Sequence, residues 1–382
     1  MDSKVRRRTK DRRNHLMNGR KDLNRLKVKS NKSMISRIKS SLKLIFKFLS
    51  IILIIVSIVL ILSPFVFRHS LTVRRLLVFM NYVNLPLFKD LSDPQNSFAM
   101  NCTKNIYVTH EDNNQMIRLG VWHLLPSSRS ENCLKFNNSL DSSLDFSDDR
   151  PIFLYLHGNG GARGGHHRRQ LYEVLSKSSQ LDGHVVTFDY RGYGDSSNVW
   201  PTADGLRSDT NAVYRWLLDQ KHVNRSRVIV YAHSLGTAVG IRFVSQLAEE
   251  DNPRAMILEA PFTSMRDALQ WHPFSKIFRN YFPFFDTYFV EPIVSNSVTN
   301  FDSISLLNKI GIPLLILHSQ DDGIIPFHLG HKLYEQSLKD QPKNCRKAQM
   351  IAFNKDYGYG HKYIFRDLEL PVIIDKFIKT ND

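Results

Sequence analysis

Val228-Ile-Val-Tyr-Ala-His-Ser234-Leu-Gly-Thr237 is the stretch on which the fold turns. Four β-forming residues end in a small-residue turn, and residues 235–249 continue with the spacing of an amphipathic helix. Strand, sharp turn, helix is the context that presents a serine Oγ at the carboxyl edge of a sheet, because small neighbours let strand and helix approach closely. The pentapeptide is G-x-S-x-G with Ala232 in its first place, and alanine still meets the need for a small residue. A serine in an ordinary β–α turn is the competing reading, and the surrounding segments decide between the two.

Upstream, the apolar run Ile152–Leu156 leads into His157-Gly158-Asn159-Gly160-Gly161. Acyl transfer needs donors for the negative charge that grows on the carbonyl oxygen. The expected donors are the backbone N–H of Leu235, after the serine, and that of Asn159 in this Gly-rich loop. The loop fits neither G-x-G-x-x-G nor the lysine-containing phosphate loop. Downstream, a strand at Leu314–Leu317 is followed by His318-Ser-Gln-Asp321-Asp322-Gly-Ile-Ile-Pro326, which places two carboxylates where the acid of a serine hydrolase belongs. Asp322 fits the D-x-x-I-P spacing and Asp321 stands in reserve. His361, in Tyr357-Gly-Tyr-Gly-His-Lys-Tyr, follows the last strand and is the only histidine after His331. Position selects it; His157, His166, His167, His233, His272, His318, His328 and His331 read as loop or packing residues.

The remaining pattern is that of a mostly parallel sheet with helices on both faces. Strands are expected at 106–108, 117–125, 152–156, 185–189, 228–231, 255–259, 314–317 and 350–353. Helices are expected at 168–179, 203–220, 235–249, 329–338 and 364–378. Residues 126–150, rich in Ser, Asn and Asp, read as a surface loop. In this arrangement His361 would take the Ser234 proton, Asp322 would orient the imidazole, and water would release the acyl group. Neither cofactor nor metal is needed.

With these residues in place, a family resemblance becomes specific. LYLHGNGGARGG (154–165), VVTFDYRGYGDS (185–196), AHSLGT (232–237), EAPFTSMRDALQ (259–270), ILHSQDDGIIPF (316–327) and GYGHKYIF (358–365) resemble the α/β-hydrolase-domain family of lysophosphatidylserine and monoacylglycerol lipases, single-pass proteins of the endoplasmic reticulum membrane. The resemblance covers roughly 105–380 and includes the N-terminal anchor in kind. It implies the α/β-hydrolase fold, a triad of Ser234, Asp322 and His361, a lumenal catalytic domain, and hydrolysis of lysophosphatidylserine and monoacylglycerols. Ala232 replaces the family's glycine and leaves the nucleophile intact.

The N-terminal quarter is of another kind. Residues 1–47 hold 17 of the 52 Lys/Arg and 3 of the 36 acidic residues, so the tail carries +14 of the net +16. Such a tail attracts nucleic acid and anionic lipid by the same counterion physics. The adjoining segment favours lipid: FLSIILIIVSIVLILSPFVF, residues 48–67, has no charge for 20 residues, enough to cross a bilayer core of about 30 Å. A buried core helix is rarely apolar all round for this length, and a signal peptide would need a far shorter basic leader and a small-residue cleavage site. Residues 28–47 carry six Lys/Arg against three at 68–87. That asymmetry puts the tail in the cytosol and the rest in the lumen or outside. Asn101, Asn137 and Asn224 would then be glycosylation acceptors. Of Cys102, Cys133 and Cys345, at most one disulfide can form.

The expected organisation is therefore a basic cytosolic tail (1–47), a transmembrane helix (48–67), a linker (68–104) and a hydrolase domain (105–382) with an inserted lid at about 261–305. Within the insertion, WHPFSKIFRNYFPFFDTYF (271–289) has ten Trp, Phe, Tyr or Ile among nineteen residues, with Lys276 and Arg279 between them. Both a membrane-facing segment and a cap on the core fit this composition, and both favour an acyl-chain substrate. Arg163, Arg168 and Arg169 could meet an anionic head group, although a solvated helix start is the commoner use. Partners reduce to a lipid substrate and a membrane, without nucleic acid; the oligomeric state is unknown at this level. Two rival functions keep the scaffold: a protein or peptide thioesterase or peptidase with the same triad, and a non-catalytic membrane-tethered binding protein.

Overall fold

The computed structural model describes residues 2–83, 89–132, 146–273, 275, 279–280, 282 and 284–380. Two compact units form, residues 1–65 and 66–382. The first is helical from Asp2 onward, within the helix Asp2–His69. That helix contains a stretch long and apolar enough to cross a membrane, with its leucine, isoleucine and valine side chains exposed. Such a surface has no place in water and fits single-pass anchoring.

The second unit is built on an eight-stranded sheet in the order β1-β2-β4-β3-β5-β6-β7-β8. β1 (Thr103–Asp112) pairs antiparallel with β2 (Gln115–Leu124), and β2 antiparallel with β4 (His184–Phe188). All other pairings are parallel, joining β3 (Ile152–Leu156), β4, β5 (Val228–His233), β6 (Ala255–Glu259), β7 (Leu314–Ser319) and β8 (Gln349–Phe353). The strand period of two explains how one apolar run serves two cores. Ile152, Leu154 and Leu156 face one core with Val228, Val230 and Ala232, while Phe153 and Tyr155 face the other with Ile229 and Tyr231. The first core receives the helices Ala203–Leu218 and Leu235–Val244, and the second receives His166–Lys177 and Leu370–Thr380. Each fully buried Val, Leu, Ile or Phe contributes roughly 1.5–3 kcal/mol, so the two layers dominate the stability of this unit. This is the α/β-hydrolase architecture expected from the motif order.

Two helix ends depart from the expected ones by more than two residues. The helix after Ser234 stops at Val244 rather than 249, because Gln246 and Leu247 bond three residues back and tighten the chain into a turn. The last helix opens at Leu370 rather than 364, since Pro371 has no N–H to give a longer helix and suits only a first turn.

Between β6 and β7 lies the insertion. It holds the helix Met265–Trp271, a π-helical turn at Asp286–Val290 and the short helix Glu291–Val294, and the bridge Ser264–Asp302 closes its base. Phe285 stacks on Phe289 at 5.2 Å and is buried, while Phe284 stays 62% exposed, so the aromatic segment both caps the core and presents apolar surface. Phe67 and Arg68 start the second unit against this insertion: the Phe67 and Phe289 rings are 5.1 Å apart, and Arg68 donates to the Thr287 carbonyl at 2.8 Å. Lys276 and several aromatic residues of the insertion lie outside the described residues.

Candidate active site

Ser234 stands between β5 and the helix Leu235–Val244 with φ +54° and ψ −120°, a backbone state that costs a non-glycine residue on the order of 1–3 kcal/mol. Three neighbours enforce it. The Ser234 N–H donates to the Glu259 carbonyl at 3.0 Å, tying the turn to β6. Gly236 is obligatory, since any Cβ there would press into the Leu156 carbonyl of β3. Gly158 is equally confined: its Cβ would lie 3.0 Å from Ser234 Cβ and 2.9 Å from His233 Nδ1. Ala232, by contrast, is a buried strand residue of β5, where glycine's special freedom is not needed.

His361 Nε2 lies 2.9 Å from Ser234 Oγ, and its Nδ1–H donates to Asp322 Oδ2 at 2.7 Å. Residues 127 and 39 positions apart in the chain are thereby brought into one hydrogen-bonded row. Asp322 is held on its other oxygen by the N–H groups of Ile324 and Ile325, at 2.8 and 2.9 Å. Burial alone would raise its pKa, but hydrogen bonds from His318 and His361 and their charge outweigh burial and hold the carboxyl well below the usual range. Asp321 does not touch the imidazole. Its carboxylate accepts from the Gly360 N–H and the Ser319 hydroxyl, fixing the loop that carries His361. Positive φ at Gly358 and Gly360 shapes that loop.

Two histidines read as packing residues also serve this row. His233 donates from Nε2 to the His361 carbonyl at 2.8 Å, and burial, then the His361 charge, pushes its pKa down to about 3. It is therefore a neutral strut. His318 donates to the Ile325 carbonyl at 2.9 Å with Asp322 Oδ2 at 3.4 Å, under the acid loop. Their places, directly before Ser234 and at the head of the acid loop, were the only sequence signal available.

The loop 157–162 passes beside Ser234. Leu235 is the first residue of its helix, so its N–H has no helical acceptor and is free for a ligand oxygen. The Asn159 side chain turns away to the Val78 carbonyl at 2.8 Å, which leaves its backbone N–H as the group to consider. Gly161 N–H donates to the Val83 carbonyl at 2.7 Å, and Tyr193 Oη donates to the Phe79 carbonyl at 2.5 Å. The stretch 68–104, expected as a linker, thus holds the helix Leu71–Phe79 and a turn that grip this loop.

The three arginines have neither of the uses weighed for them. Arg163 is fully buried, donating to Asp189 at 2.6 Å and Asp195 at 2.5 Å. Arg168 is buried on the carbonyls of the same loop, and Arg169 donates to the Phe98 and Gly164 carbonyls. Most of their donors go to protein oxygens, with the Nε groups of Arg163 and Arg168 buried and unbonded. Asn101 and Asn224 are exposed, Asn137 lies outside the described residues, Cys102 is disulfide-bonded and Cys345 is a free thiol.

Known proteins complete the picture. A family model described as the alpha/beta hydrolase fold matches residues 151–303. The lysophosphatidylserine lipase ABHD12 of Rattus norvegicus is 41% identical over 325 residues, 84% of this chain and 77% of that protein. The lipase of the same name from Danio rerio is 39% identical over 83% and 80%, and human protein ABHD12B is 33% identical over 79% of each. Among solved structures, the Pyrococcus furiosus esterase PF2001 superposes with a TM-score of 0.55 at 19% identity, covering 78% of this chain and 97% of its own. An alpha-beta hydrolase of Vibrio vulnificus does so at 0.55 and 15%, covering 82% and 94%. The two structures share the fold, and the sequence relatives carry the closer relationship: this chain belongs to the ABHD12 family of lysophosphatidylserine lipases, hydrolases of the α/β-hydrolase fold.

Proposed function

We propose that this protein is a membrane-anchored serine hydrolase that cleaves the acyl esters of lysophospholipids, lysophosphatidylserine among them, and of monoacylglycerols through an acyl-enzyme on Ser234. The observation that carries the reading is the row Ser234 Oγ, His361 Nε2, His361 Nδ1, Asp322 Oδ2, with steps of 2.9 and 2.7 Å. His361 accepts the Ser234 proton as Oγ attacks the ester carbonyl, and Asp322 stabilises the imidazolium that results. The N–H groups of Leu235 and Asn159 receive the oxyanion. Collapse of the tetrahedral intermediate breaks the ester C–O bond, and His361 returns the proton to the departing glycerol oxygen. Water, deprotonated by His361, then attacks the acyl-enzyme; collapse frees the fatty acid and returns the proton to Ser234 Oγ.

The span 48–67 anchors the protein in the endoplasmic reticulum membrane, with tail 1–47 in the cytosol and the catalytic unit in the lumen. Support comes from the flanking charge asymmetry, from the disulfide at Cys102, a bond of oxidising compartments, and from the exposure of the acceptor asparagines Asn101 and Asn224. The insertion at 261–305 acts as the lid over the acyl chain.

Covalent labelling tests the mechanism. A fluorophosphonate should add to the Ser234 peptide, identified by mass spectrometry, and His361→Ala should slow that labelling at least a hundredfold. Labelling at any other serine, or labelling indifferent to His361, contradicts the proposal.

A further inference from the structure

The guanidinium of Arg168 grips the loop beside Ser234 from one side. Nη1 donates to the Ala162 carbonyl at 2.7 Å, and Nη2 to the carbonyls of Gly158 at 2.9 Å and Gly160 at 2.6 Å. The Gly158 carbonyl also receives the His157 Nδ1–H at 2.8 Å. Arg168 is 3% exposed, and among the described residues it has no carboxylate partner. A buried cation must replace its lost hydration, and here three loop carbonyls serve the two Nη groups, while Nε stays unbonded.

In a planar trans peptide the C=O and the following N–H point in opposite directions. Turning the Gly158 carbonyl onto Arg168 therefore turns the Asn159 N–H away from it. The peptide two residues on shows the same division: Gly160 offers its carbonyl to Arg168, and the Gly161 N–H bonds on the far side to Val83 at 2.7 Å. The Gly158–Asn159 peptide lies beside the nucleophile: a Cβ on Gly158 would meet His233 Nδ1 at 2.9 Å and Ser234 Cβ at 3.0 Å.

We infer that Arg168 is a positioning residue for the reaction: by holding the Gly158 carbonyl it fixes the peptide plane that aims the Asn159 N–H at the oxygen of the carbonyl under attack. The inference rests on the serine-hydrolase reading above. Methionine at this place fills the volume and removes the donors, leaving the peptide free to rotate. Lysine restores charge and donors without the planar fork, so it holds fewer carbonyls at once.

The test uses the full chain in membranes, with kcat and KM for a lysolipid ester and Ki for an acyl trifluoromethyl ketone. Serine adds to that ketone carbon, and the resulting alkoxide sits where the reaction's oxyanion would. Arg168→Met should lower kcat roughly 10²- to 10³-fold, leave KM within about threefold, and weaken the ketone by a factor similar to the kcat loss. Arg168→Lys should regain at least tenfold in both kcat and Ki. Ki and KM do not depend on how much of a variant folds, so a loss of kcat with unchanged Ki marks a purely structural arginine and overturns the inference. So does a kcat for Arg168→Met within threefold of wild type while Ser234→Ala is inactive. Hydrolysis that survives Ser234→Ala strikes instead at the reading on which the inference rests.

Discussion

The Gly360 N–H points between the two carboxylate oxygens of Asp321, 3.0 Å from each. The next residue in the chain, Asp322, gives its Oδ2 to the imidazole of His361 at 2.7 Å. Two adjacent carboxylates thus lock one loop at two points, the first through backbone and the second through the ring. Their substitutions should separate accordingly. Asp322→Asn should lower kcat roughly 10⁴-fold with little effect on KM, because an amide cannot stabilise the imidazolium or set its tautomer. Asp321→Asn keeps one acceptor for Gly360 and should cost about tenfold. Steady-state kinetics on both variants decide the matter, and equal losses would contradict the division of labour.

The approach of Gly158 to the serine turn makes a second prediction. A methyl group there meets Ser234 Cβ, His233 Nδ1 and the His233 carbonyl at 2.9–3.1 Å, none of which is the end of a flexible side chain. Gly158→Ala should destabilise the fold by about 1–3 kcal/mol and lower kcat more than a hundredfold by displacing the loop from Ser234. Thermal unfolding and hydrolysis measured on the same preparation check both figures.

Glu259 supplies a pH prediction. The residue is buried, accepts from Tyr231 Oη at 2.7 Å, and is pushed up to about 7, by burial first and then by the charge of Asp322, against the pull of the Tyr231 hydrogen bond. Its folded pKa lies above its unfolded value near 4.5, so its stabilising contribution is full below pH 4.5 and is lost as pH rises through 7. Glu259→Gln, which cannot ionise, should gain on wild type across that window, by on the order of 3 kcal/mol at pH 8, and should match it near pH 4.5. Unfolding midpoints measured from pH 4.5 to 8 test the sign; a variant less stable at pH 8 than at pH 5, relative to wild type, contradicts it.

Where the catalytic unit begins is open to truncation. Removing residues 1–47 leaves unit 66–382 whole and should leave kcat within twofold. Removing residues 1–104 deletes the acceptors at Val78, Phe79 and Val83 that hold Asn159, Tyr193 and Gly161. That protein, assayed in detergent, should lose at least a hundredfold in kcat. Full activity after the longer deletion would show that the grip on the loop is dispensable.

Chemistry was more legible in the sequence than positioning. Ser234, Asp322 and His361 stand out because each follows the carboxyl end of a strand that reads as β from its own run of apolar and β-branched residues; β5 and β7, which lead to Ser234 and Asp322, are buried throughout. Spacing cannot say which of two adjacent side chains turns toward the ring; in the fold it is Asp322, with Asp321 turned to the Gly360 N–H. By composition Arg168 belongs to a solvated helix start, and 71–83 to the linker expected at 68–104. Their roles arise from contacts such as Gly161 to Val83 and Asn159 to Val78, about eighty residues apart, which no local pattern encodes. His233 and His318 read as loop or packing residues, and they pack on the His361 carbonyl and the acid loop.

The most direct measurement of the central claim is fatty-acid release by membranes carrying wild-type protein or Ser234→Ala, offered lysophosphatidylserine, other lysophospholipids and monoacylglycerols side by side. Serine catalysis predicts release by wild type from at least one of these lipids that falls to background with Ser234→Ala. Release that persists without the Ser234 hydroxyl, or none from any of these lipids, would contradict it.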